Sequence, residues 1–66
     1  MSDFLTRLKT EKEELDLKLS KLDYFRDSSE FNALPSRQQW LLDRQSEVMA
    51  SYSRILEARM ILLQKF

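Results

Sequence analysis

Residues 36–66, SRQQWLLDRQSEVMASYSRILEARMILLQKF, contain neither Gly nor Pro and repeat every seven residues. Leu41, Val48, Ile55 and Leu62 form one column of the repeat, and Leu42, Met49, Leu56 and Leu63 form another. A third column, Gln45, Tyr52, Arg59 and Phe66, runs between them. At about 100° per residue, positions 41, 45 and 42 fall within about 100° of arc, with 45 in the middle. The stretch reads as a single amphipathic helix from Ser36 to Lys65, about 45 Å long at about 1.5 Å per residue. A polar line runs along the centre of its apolar stripe, and that line needs a reason.

Upstream, Leu5, Leu8, Lys12, Leu15, Leu19 and Leu22 alternate spacings of three and four. That is a heptad seam with one intruder, Lys12. Ser2 is placed to cap this helix, and Asp3 suits the positive end of its dipole. Opposite charges four apart, such as Lys12/Asp16 and Glu14/Lys18, line the outer face. The acidic residues, Glu11, Asp16, Asp43 and Glu57 among them, read as solvated. The run Asp27-Ser28-Ser29 should break the helix, with Ser28 capping one short turn. Phe31 and Leu34 would plug the open end, while Pro35 drives Leu34 away from the helical region. Ser36 and Gln39 have capping-box spacing. The expected fold is an all-α antiparallel helical hairpin in a single domain over residues 1–66. Its parts are a helix at about 3–26, an elbow at about 28–34 and a helix at about 36–65.

Folding the two helices together about residue 31 sets Leu5 level with Arg59, Leu8 with Ile55 and Lys12 with Tyr52. The stripe on the second helix is too wide for one facing helix to cover. A second copy is the simplest cover, through Leu41, Val48, Met49, Ile55 and Leu62, giving a homo-oligomeric bundle of two or more chains. Size argues the same way. A chain below about 70–80 residues seldom gains more than about 3–5 kcal/mol from its own core. With no Cys and no His among the 66 residues, a disulfide is excluded and the commonest metal ligand is missing.

Composition narrows the function. Eleven basic and eleven acidic residues cancel and are interleaved, which argues against a surface built for nucleic-acid phosphates. No apolar run approaches the roughly 20 residues needed to span a bilayer, and no signal segment opens the chain, so a cytoplasmic protein with no membrane partner is expected. Without His, Cys, a glycine loop or an inward carboxylate pair, no enzyme, cofactor or metal is expected. Lys12, Gln45, Tyr52 and Arg59 form the polar set that the pattern turns inward. They read either as a site for a small anion or nucleotide, or as polar core positions that fix register and oligomeric state. Trp40, Tyr24 and Phe31 cluster near the elbow, as an anchor for a protein partner or as the plug of the hairpin.

The run EKEELDLKLSKL from Glu11, the elbow FNALP from Phe31, and the spacing Q-x-x-x-M-x-x-Y-x-x-x-L-x-x-R from Gln45 to Arg59 carry a resemblance. Together they resemble a group of short phage and prophage helical-hairpin proteins, over nearly the whole chain. The resemblance implies a phage origin and action by binding. Such a protein would counter a host component, either by sequestering a small nucleotide signal of host defence or by contacting a host protein as inhibitor or adaptor. A purely structural bundle with no ligand is the remaining reading.

Overall fold

The computed structural model describes residues 2–64, with side chains from residue 3 onward. Three helices follow one another: α1 (Ser2–Arg26), α2 (Ser29–Asn32) and α3 (Ser36–Gln64). The long helices α1 and α3 pack antiparallel, and the single turn of α2 sits in the elbow. The capping role expected of the Ser2 side chain and the place of Phe66 in the repeat lie outside the described residues, as does Lys65.

Ser28 does two jobs at the elbow. Its hydroxyl donates to the Phe25 carbonyl at 2.5 Å, closing the end of α1. It also accepts from the Phe31 backbone N–H at 3.2 Å, so it caps α2 from an extended backbone conformation. That turn drives Phe31 into the hairpin, where it is buried and meets Phe25 edge to face at 6.1 Å. Gln39 differs from its expected part in a capping box with Ser36. Its amide donates to the carbonyls of Leu34 at 2.9 Å and Asn32 at 3.2 Å. These carbonyls are stranded where Pro35 breaks the chain, and a donor reaching back satisfies them better than a cap would.

The hairpin is a rod of 48 × 14 × 13 Å with a radius of gyration of 15.1 Å. A compact chain of this length would have about 11 Å. A rod two helices thick has almost no interior: Leu8, Phe31 and Leu56 are the buried apolar side chains among the described residues, and Leu56 alone is fully enclosed. The seam of α1 is the one the spacing predicts, with Leu5, Leu15, Leu19 and Leu22 half-buried along it. On α3 the column Leu42, Met49 and Leu56 turns toward α1, joined by Ser46 and Ser53. The level of the two helices is close to the expected one, since Tyr52 reaches Glu11 and Arg59 stands over Phe4, but the rotation of α3 differs. Ile55 does not face Leu8 and Lys12 does not face Tyr52, because α3 is rotated to bring its serines into the seam.

Candidate functional site

The two flanks of the α1–α3 seam differ in chemistry. One is laced by a polar ladder. Arg26 at the end of α1 donates through Nε to Asp43 at 2.9 Å and through Nη1 to Ser46 Oγ at 3.1 Å and Asp23 at 3.0 Å. Ser46 in turn donates to Asp23 at 2.8 Å. Two turns along, Ser53 donates to Asp16 at 2.5 Å, and Lys12 pairs with Asp16 at 2.6 Å and lies 3.8 Å from Glu57. Asp16 and Asp43 are therefore half-buried seam residues rather than solvated ones. Sequence reasoning gave no role to Ser46, Ser53 or Arg26. A signal was present: Ser46 and Ser53 are seven apart, and so are Asp16 and Asp23.

The ladder sets the ionisation of its members. Asp16 is held below the usual carboxylate range by its hydrogen bonds from Lys12 and then Ser53. Lys12 is raised, chiefly by its hydrogen bond to Asp16, and Arg26 is raised, chiefly by its bond to Asp43. A depressed carboxylate contributes stability above its unfolded value of about 3.9, and this is lost as the pH falls through the lower folded value. A raised Lys contributes stability below its unfolded value of about 10.4, and this is lost as the pH rises through the higher folded one. Stability measured by thermal melts should thus hold between these limits and drop outside both. In Asp16→Asn the acid limb should flatten. An unchanged acid limb in that variant would remove Asp16 from the account.

The other flank is apolar and bare. Val48, Ile55 and Leu62 are 58%, 56% and 59% exposed, and Leu41 lies exposed in the same column. Gln45, Tyr52 and Arg59 interleave with them, so positions 41, 45, 48, 52, 55, 59 and 62 form a second heptad seam. It is rotated about 100° from the face that meets α1. The polar line does run between two apolar columns, but the line itself is exposed, not inward. Two of its members are held by α1 at the rim: the Tyr52 hydroxyl donates to Glu11, and the Arg59 guanidinium stands 6.0 Å above the Phe4 ring. Gln45 directs its amide at the Met49 sulfur, 3.8 Å away. The four-residue polar set is thereby split. Lys12 is drawn to the opposite flank by Asp16 and Glu57, while Gln45, Tyr52 and Arg59 remain together.

Of the five residues expected at an oligomer interface, Leu41, Val48, Ile55 and Leu62 lie on this bare seam, and Met49 lies half-buried in the column facing α1. Of the elbow aromatics, Phe31 is spent on the plug, whereas Trp40 is 57% and Tyr24 83% exposed. Among the described residues, no helix is long and apolar enough to cross a membrane.

The Sequestin family model matches residues 2–62, which takes in both long helices, the elbow and the whole of the bare seam. The chain belongs to the Sequestin family. Comparison with curated proteins finds no match, and neither does comparison with solved structures. For a Sequestin chain the family name suggests a sequestering, binding protein, which directs attention to surfaces that bind. The bare seam of α3, with Val48, Ile55 and Leu62 more than half exposed, is one such surface.

Proposed function

We propose that this protein is a non-enzymatic, phage-type binding protein that oligomerises along α3 and sequesters a small anionic ligand, a nucleotide signal of host defence. The observation that carries this reading is the line of Gln45, Tyr52 and Arg59 set into an unpartnered apolar seam. Arg59 supplies charge for a phosphate, Tyr52 a face for a base and Gln45 a hydrogen-bonding edge. The family name supports it from an independent direction. The earlier candidate Lys12 drops out, because its charge is already spent on Asp16 and Glu57.

Native mass spectrometry tests the reading, first on protein taken directly from the host and then after incubation with cyclic and linear nucleotides. An oligomer gaining a stoichiometric nucleotide mass is expected. Arg59→Ala should keep the oligomer and lose the adduct, since a hydrogen bond to a charged group is worth about 1.5–3 kcal/mol, or about 10–100-fold in affinity. A clean oligomer with no adduct from any nucleotide would overturn sequestration. In that event the exposure of Trp40 favours a second reading, an inhibitor or adaptor that contacts a host protein. Loss of a captured partner in Trp40→Ala would then be the expected result.

A further inference from the structure

The polar line has a geometric problem that points to its own solution. Residues seven apart on a helix are about 10.5 Å apart along its axis. Gln45 and Arg59 of one chain are thus about 21 Å apart, too far for a small molecule to touch both. One copy cannot assemble a site from its own row. Nor is the middle of the row open to an anion, because the Glu11 carboxylate already accepts from Tyr52 there.

The seam reads nearly the same in both directions about Tyr52. Gln45 and Arg59 stand seven residues to either side, Val48 and Ile55 four and three, Leu41 and Leu62 eleven and ten. Reversing one copy against another matches polar with polar and apolar with apolar. Charge selects this direction over the parallel one. Parallel pairing would set Arg59 against its own copy, whereas antiparallel pairing sets each guanidinium against the amide oxygen of Gln45, which can accept from it. Along the outer edge of the seam stand Ser51 and Ala58, both small enough to let two helices approach closely. The polar ladder of Arg26, Asp43 and Asp16 lies on the opposite flank and leaves this one clear.

We infer that two copies pair antiparallel along α3 across a two-fold axis at Tyr52, and that Gln45 of each copy completes a ligand site with the partner's Arg59. This deepens the sequestration reading and rests on it for the ligand, although the pairing stands on the seam alone. Each dimer then carries two equivalent sites, about 10 Å to either side of the axis and away from Glu11. Each offers a guanidinium steadied over Phe4, an amide edge, and the flank of a Tyr52 ring. The ligand class that fits is a nucleotide whose phosphate meets Arg59 and whose base meets Gln45 and Tyr52, bound two per dimer.

The absence of Cys makes the pairing directly testable. Gln45→Cys and Arg59→Cys proteins are prepared separately, mixed, and treated with a short bis-maleimide. Cross-linked mixed dimers are expected, with neither variant cross-linking to itself. Self-linking of either variant, or no linking in the mixture, would overturn the arrangement. Charge exchange gives a second reading that needs no cysteine. Gln45→Lys should weaken the dimer about tenfold by facing Arg59, and Gln45→Lys/Arg59→Glu should restore it, since Lys then meets Glu. If the double variant stays weak, antiparallel pairing fails. Adding ATP or a cyclic dinucleotide to the wild-type dimer separates the two claims. Mixed cross-links without any adduct would retain the pairing and remove sequestration. An Arg59-dependent adduct on a dimer that does not cross-link as expected would do the reverse.

Discussion

Leu56→Ala is expected to unfold most of the protein at 25 °C. Leu56 is the fully enclosed side chain of the hairpin, at 0% exposure, and it sits in the α3 column that meets α1. Truncating a buried Leu to Ala costs about 2–5 kcal/mol, part of it for the cavity left behind. A single small core supplies no more than about 3–5 kcal/mol in a chain this short, so the loss is comparable to the whole. Among the described residues only Leu8, Phe31 and Leu56 are buried apolar side chains and the rest of the seam is half-buried, so little reserve is available to absorb it. Far-ultraviolet circular dichroism should record the loss of helix, and a melt should record a midpoint lowered by tens of degrees or no transition at all. Leu17→Ala is the control: Leu17 is exposed on the back of α1, and its truncation should stay within about 0.5 kcal/mol. If both variants melt alike, the rotation of α3 that puts Leu56 inward is wrong.

That rotation is also where sequence reasoning reached its limit. The two long helices and the elbow were legible because their signals are local and agree: heptad spacing, the Asp27-Ser28-Ser29 break, and Pro35 after Leu34. The choice of which α3 column faces α1 is not local. Columns 41 and 42 are equally apolar, so hydrophobicity alone leaves the helix free to turn by about 100°. Ser46 and Ser53 decide it. Their small side chains let the helices close, and their hydroxyls give Asp23 and Asp16 partners that hydrophobic patterning does not count. Serine and aspartate are ordinarily surface residues, which is why Asp16 and Asp43 read as solvated. Lys12 was misjoined to Tyr52 for a related reason. Its neighbour Asp16, one turn away on the same helix, competes for the ammonium group at little entropic cost. What the sequence did convey of the site is the row Gln45, Tyr52 and Arg59, since equal spacing on one helix survives any error in rotation.

Ile55→Asp should separate the hairpin from its assembly. Ile55 is more than half exposed and lies off the α3 column that turns toward α1, so a lone chain should tolerate the change within about 0.5 kcal/mol. In an antiparallel pair the same position meets the partner near Val48 and is shielded from water. An unpaired charge left buried there costs about 3–5 kcal/mol, and a two-fold interface incurs that cost twice. At about 1.4 kcal/mol per tenfold, a total of about 6–10 kcal/mol should raise the dissociation constant by at least about ten-thousandfold, enough to leave monomer at micromolar concentration. Sedimentation would report the mass and circular dichroism the helix content on the same sample. The expected result is a helical monomer whose melting midpoint no longer depends on concentration, whereas the parent's does. An unchanged oligomer would mean that the bare seam is not where copies meet, and the composite site of Gln45 and the partner's Arg59 would go with it. Loss of helix along with mass would mean something else: that α1 and α3 hold together only within the assembly, so the three buried side chains are too few for the hairpin to stand alone.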